Sequence, residues 1–146
     1  MMIIGIGNEF RRDDAVGLIA ARRIRERGAP AEEHSGDAAL LMDRWKLADG
    51  VILIDAVAPS GSPGAIHCVD AAVHPPRREF CTGSTHALDV ADAIELARAM
   101  GRLPPRLYII GIEAADVSPG LGLSFEVENA LPIVVERVLA IAAETR

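Results

Sequence analysis

The fold class of this chain is indicated most clearly by the stretch Val51-Ile52-Leu53-Ile54-Asp55-Ala56-Val57. Its apolar character is continuous rather than alternating, which predicts a strand that is buried on both faces. Such strands are typical of parallel sheets covered by helices on both sides. On both sides of this stretch, apolar runs predict four further strands, over 2–7, 31–35, 64–70 and 107–112. Helical periodicity and capping signals predict helices over about 13–28, 38–47, 86–100 and 125–144.

The alternation of these elements predicts the architecture. The order is β-α-β-α-β-β-α-β-α, and buried strands alternating with helices indicate an α/β fold. We expect a three-layer domain with a twisted, mostly parallel five-stranded sheet flanked by helices on both faces. A length of 146 residues fits a single domain spanning 1–146. Half of the residues are hydrophobic and only 3% are aromatic, so the predicted core is large and aliphatic.

Charge and composition exclude several classes of protein. The formal net charge is −6 and the basic residues are scattered, which argues against a phosphate-backbone footprint. Few aromatic side chains are present to stack on bases. No apolar run is long enough to span a bilayer, and Cys68 and Cys81 are too few for a disulfide scaffold. We therefore expect a cytoplasmic protein with reduced thiols and with neither a nucleic acid nor a membrane as its partner.

Three chemically useful side chains are predicted at one edge of the sheet. Ligands of such sheets bind outside the carboxyl ends of the strands, where Asp14, Asp55 and His86 are expected. Two carboxylates and an imidazole can hold a borderline divalent cation and leave coordination positions open. The three converge only if the first and third strands are neighbours. Each also has a structural explanation: Asp13 and Asp14 suit a helix N-terminus, Asp55 a turn amide, and His86 a first helical turn.

Other sites are weaker. Gly5-Ile6-Gly7 after a strand suggests a dinucleotide motif, but Phe10 occupies the third glycine position and the expected acidic residue is absent. Tight turning of the chain explains these glycines better, and we predict no cofactor-binding residues there. A small nucleotide-binding domain stays open as a rival hypothesis. A second metal site lacks paired ligand spacing; its members would be His67, Cys68, His74 and Cys81.

The motifs also resemble a known family. Gly5-Ile6-Gly7-Asn8, with Asp13-Asp14-Ala15-Val16-Gly17, is similar to the opening signature of the hydrogenase maturation proteases. These endopeptidases process the large subunit of nickel–iron hydrogenases. The resemblance spans nearly the whole chain, continuing through 51–56, 84–88, 106–113 and 121–124.

The resemblance implies an activity and a set of site residues. Asp14, Asp55 and His86 fall on the family's metal-contacting positions and are the implied catalytic residues. The metal is nickel belonging to the substrate, and other divalent cations can take its place in vitro. The implied partner is the nickel-loaded precursor of a hydrogenase large subunit, from which a C-terminal extension is removed. We expect the enzyme to be a monomer.

One loop departs from the family pattern. Where the family often has Asp-Gly-Gly-Thr after its second strand, this chain has His34-Ser35-Gly36-Asp37. We favour Asp37 as a cap for the helix over 38–47 rather than as a catalytic residue. The departure also supports an alternative function, a non-cleaving nickel-sensing or scaffold protein of the same fold in hydrogenase assembly.

Overall fold

The computed structural model describes residues 1–74 and 90–144. A 3-10 turn over Arg12–Ala15 separates the first strand from the first helix, so that helix begins later than the predicted residue 13. The predicted start of the third helix, near residue 86, lies outside the described residues. The strands are β1 (Met2–Ile6), β2 (Glu32–His34), β3 (Gly50–Val57), β4 (Ile66–Asp70) and β5 (Arg106–Glu113). The helices are α1 (Val16–Glu26), α2 (Ala38–Trp45), α3 (Val90–Ala99) and α4 (Phe125–Glu144).

The five strands form one sheet in the order β2-β1-β3-β5-β4. All neighbouring pairs are parallel except β4 and β5, which are antiparallel. Every residue of β3 is buried, as its continuous apolar sequence predicted. The first and third strands are neighbours, with Gly5 beside Ile54. This adjacency meets the condition on which the convergence of the predicted site residues depended.

The core is divided by the sheet into two halves. Ile52 and Ile54 pack on the side covered by α1 and α4, whereas Val51 and Leu53 pack on the side covered by α2 and α3. This period of two sends successive side chains of β3 to opposite faces. The three-layer α/β prediction is therefore confirmed. Within the described ranges, no helix is both long and apolar enough to cross a membrane.

Glycines bring α1 unusually close to the strands. A Cβ on Gly5 would lie 2.0 Å from the Gly17 carbonyl oxygen, and a Cβ on Gly17 would lie 2.3 Å from the Ile54 carbonyl oxygen. A Cβ on Gly7 would lie 2.0 Å from the carbonyl oxygen of Asp14. Only glycine allows this approach. The Gly-x-Gly motif thus lets the 3-10 turn and α1 pack directly against the end of β1, and Gly17 lets α1 pack against β3.

Candidate functional site

Asp14 lies at the carboxyl edge of the sheet. The 3-10 turn that carries it packs against β3, and its side chain is 9% exposed. Its Oδ2 atom accepts a hydrogen bond from the Asn8 backbone N–H at 3.0 Å. A carboxylate anchored through a main-chain donor has a fixed orientation, and ionisation strengthens such a bond. Asp14 therefore occupies the edge position that the sequence predicted.

Asp55 lies at the same edge, on the neighbouring strand. It is buried, beside Gly111 of β5, and its Oδ1 atom accepts a hydrogen bond from the Ala56 N–H at 2.9 Å. The strand continues to Val57, the last residue of the predicted stretch 51–57, so Asp55 lies within the strand rather than at a turn. The reason is pairing, since Ala56 and Val57 still have partners on β5.

The third predicted residue, His86, lies outside the described residues, as do Ser84, Thr85 and Cys81. The set of Asp14, Asp55 and His86 therefore remains a prediction. Within 1–74 and 90–144, no three His, Cys, Asp or Glu side chains are grouped closely enough to hold a metal ion. The rival set gains no support from this part of the chain, where His67 and Cys68 are both exposed on β4.

Asp13 has a different role from its neighbour Asp14. It is 0% exposed, and its carboxylate accepts hydrogen bonds from the backbone N–H groups of Ala115, Asp116 and Ser124 at 2.7–3.0 Å. The Ser124 hydroxyl donates a further bond at 2.9 Å. Asp13 thus fastens the segment between β5 and α4 to the 3-10 turn. Neither acid caps α1 through its side chain, so the capping explanation was wrong for this pair.

Glu113 is a buried carboxylate that the sequence analysis did not select as a site residue. It ends β5, and it accepts hydrogen bonds from the Ser60 hydroxyl and the Ser62 backbone N–H. These bonds, the Ser60 contact first, hold the pKa of Glu113 below its usual value against the opposing effect of burial. Like Asp55, Glu113 is an acid in a mostly apolar strand at the carboxyl edge of the sheet, and the sequence shows this feature for both residues. Its observed contacts fix the segment after β3 at the same edge.

The atypical 34–37 loop has a structural explanation. The His34 Nδ1 atom accepts a bond from the Gly36 N–H at 2.9 Å, and burial lowers the pKa of this imidazole. A neutral ring with a free Nδ1 lone pair suits that acceptor role. Asp37 accepts a bond from the Leu40 N–H at 3.0 Å and is the N-cap of α2. The capping prediction for Asp37 is confirmed.

The edge therefore presents two oriented carboxylates, Asp14 and Asp55, on neighbouring elements. Carboxylate oxygens can bind a divalent cation or accept a proton from water. Asp13 and Glu113 hold the surrounding segments in place. An imidazole reaching this edge would complete a mixed nitrogen and oxygen ligand set.

Comparison with known proteins identifies the family of the chain. Residues 36–141 match the family model of the hydrogenase maturation proteases. The hydrogenase 2 maturation protease of Escherichia coli K12 is 27% identical over 159 aligned positions, covering 99% of this chain and 92% of that protein.

Two solved structures are similar throughout. The hydrogenase maturating endopeptidase HybD of Escherichia coli superposes with a TM-score of 0.81 at 25% identity, covering 99% of this chain and 92% of its own. The nickel–iron hydrogenase maturation protease HybD of Thermococcus kodakarensis has a TM-score of 0.74 at 26% identity, covering 97% of both chains. The chain belongs to the hydrogenase maturation protease family.

Proposed function

We propose that this chain is an endopeptidase that removes a C-terminal extension from the nickel-loaded precursor of a nickel–iron hydrogenase large subunit. The observation that carries the proposal is the pair of oriented carboxylates, Asp14 and Asp55, at the functional edge of a fold whose family processes hydrogenases. Oriented carboxylate oxygens at such an edge are suitable ligands for a divalent cation. In this proposal, the substrate carries that cation.

The proposed metal contacts are Asp14, Asp55 and His86. In this scheme they bind nickel that already sits in the precursor, so the metal is part of the substrate. Binding through three side chains positions the scissile peptide bond beside them, which lowers the entropic cost of reaction. The metal marks a precursor that is ready for cutting. We propose that the protein acts as a monomer in the cytoplasm.

The proposed chemistry is direct hydrolysis without a covalent enzyme intermediate. One of the two carboxylates takes a proton from a water molecule, and the hydroxide oxygen bonds to the scissile carbonyl carbon. The C–N bond then breaks, and the proton passes to the leaving nitrogen to give a free amine. The products are the shortened large subunit, with a new C-terminal carboxylate, and the released extension.

The alternative is a non-cleaving nickel-sensing or scaffold protein in hydrogenase assembly. Its support was the altered 34–37 loop. Because Asp37 caps α2, a structural requirement accounts for the acid at that position. The cleaving enzyme is therefore the function we prefer.

The test is to mix the protein with nickel-loaded precursor and weigh the large subunit by intact-mass spectrometry. We expect a shortened product from the wild type, and unprocessed precursor from Asp55→Asn and His86→Ala at unchanged thermal stability. Asp43→Asn is the matched control, since this exposed acid of α2 pairs only with Lys46 among the described residues. Normal processing by both Asp55→Asn and His86→Ala would overturn the proposed site. An intact large subunit in a stable complex with the wild type would favour the scaffold.

A further inference from the structure

Three large apolar side chains are exposed around the turn that carries Asp14. Phe10 is 66% exposed, Leu121 68% and Phe125 77%. We call Phe10, Leu121 and Phe125 the rim patch. Scattered exposed apolar residues are ordinary on a protein surface, but a group of them marks an interaction site.

Main-chain hydrogen bonds hold the rim patch together. The Gly120 N–H donates to the Phe10 carbonyl at 2.8 Å, which places Leu121 next to the turn. The Ser124 N–H donates to Asp13, which places Phe125 at the same turn. Residues distant in sequence are therefore fixed beside the 3-10 turn that carries Asp14. A surface fixed in advance costs little conformational entropy when a partner binds.

Positive charge lies within the same turn. Arg11 has no acidic partner within ion-pair distance in the described part of the chain, although most cations of α1 and α2 are paired there. Arg12 has a positive φ of 46°, which is uncommon for a residue other than glycine. This conformation lays its guanidinium over Gly120, where its weak contact with Asp116 is 3.7 Å long. Two cations thus lie on the turn next to the rim patch, on a protein with net negative charge.

We infer that the rim patch with Arg11 and Arg12 is the docking surface for the hydrogenase precursor, and that it takes an apolar stretch carrying an acidic side chain. The inference rests on the proposed function and adds the chemistry of the recognised segment. Its basis is continuity, because the patch is built on the turn that holds Asp14. Since no acidic side chain in the described part of the chain forms an ion pair with Arg11, charge complementarity favours an acidic side chain in the recognised segment.

The experiment measures processing kinetics and precursor binding for Phe10→Ser and Arg11→Glu. We expect Phe10→Ser to raise KM about tenfold or more with kcat retained, because a docking contact acts on ground state and transition state alike. Arg11→Glu should raise KM at low salt, with a difference from wild type that shrinks as ionic strength rises. Leu121→Ser should behave like Phe10→Ser.

Matched controls come from the opposite end of the sheet. Leu47 is an exposed leucine and Arg102 an arginine without an ion pair among the described residues, so Leu47→Ser and Arg102→Glu should leave KM unchanged. Wild-type KM and binding for both Phe10→Ser and Arg11→Glu would overturn the inference. So would a wild-type dimer that Phe10→Ser dissociates, because the patch would then serve a second copy of the chain.

The two proposals fail in different ways. If the wild type leaves the precursor uncut, the endopeptidase proposal fails, and calorimetric binding of the precursor to wild type and variants still decides the docking surface. If the wild type cuts the precursor and the variants cut it with the same KM, the docking-surface inference is refuted and the endopeptidase proposal stands.

Discussion

Asparagine substitutions at the adjacent residues Asp13 and Asp14 distinguish an acid that stabilises the fold from an acid that acts in the proposed site. Asp13→Asn keeps the shape of a side chain that accepts four hydrogen bonds while fully buried, but it removes the charge and half of the acceptor capacity. The amide NH2 group would then face N–H donors. Bonds to a charged group contribute about 1.5–3 kcal/mol each, and a buried donor left unpaired costs about 1–3 kcal/mol. Since these terms are not additive, we expect a loss of about 3 kcal/mol in the free energy of unfolding.

Asp14→Asn is the matched comparison. An amide oxygen can still accept the bond from the Asn8 N–H, so we expect a loss of less than about 1 kcal/mol in the free energy of unfolding. Urea titration measures both values, and the Asp13→Asn loss corresponds to a fall in Tm of about 6–12 °C. We expect the Asp13→Asn variant to process the precursor at temperatures below its unfolding transition. We expect the Asp14→Asn variant to leave the precursor unprocessed. Equal stability of the two variants, or a larger loss for Asp14→Asn, would refute the assignment of roles.

Three further predictions follow from single contacts. Gly17→Ala places a Cβ 2.3 Å from the Ile54 carbonyl oxygen, so we expect a loss of at least about 3 kcal/mol by urea titration, and a wild-type midpoint would contradict the close packing of α1. Asp37→Ala removes the cap bond to Leu40 and should cost about 1 kcal/mol with processing retained, whereas lost processing at retained stability would restore a catalytic role for Asp37. Because the pKa of Glu113 is lowered in the folded protein, its ionised carboxylate stabilises the fold above the unfolded pKa, near 4.5. This stabilisation is lost as the pH falls through the pKa of the folded state. Glu113→Gln should therefore lose less stability than wild type on acidification below about pH 4.5, and identical acid-unfolding profiles would show that Glu113 contributes nothing there.

The layer architecture follows from hydrophobic patterning alone. The stretch 51–57 is apolar on both faces, and only a central parallel strand buries both. The Gly-x-Gly motif predicted a tight turn, and its structural cause is the contact of Gly5 with Gly17 across the strand–helix interface. The Asp37 cap was also predictable, because a cap acts through residues close by in sequence.

The roles of the buried acids were harder to predict. The partners of Asp13 lie more than a hundred positions away, and sequence periodicity carries no information on such contacts. The pair Asp13-Asp14 predicts a helix start because acidic residues favour a helix N-terminus, but the structure has a 3-10 turn there. The positive φ of Arg12 accompanies a bond from its N–H to the Gly120 carbonyl at 3.1 Å, and the local sequence gives no signal of a contact so distant along the chain.

Nickel-dependent cleavage is tested by comparing nickel-loaded with nickel-free precursor of the large subunit, each incubated with the wild-type protein and weighed by intact-mass spectrometry. We expect a shortened large subunit only from the nickel-loaded precursor. Equal shortening of both precursors would contradict recognition of nickel by Asp14, Asp55 and His86. An intact large subunit in both samples would contradict the endopeptidase activity itself.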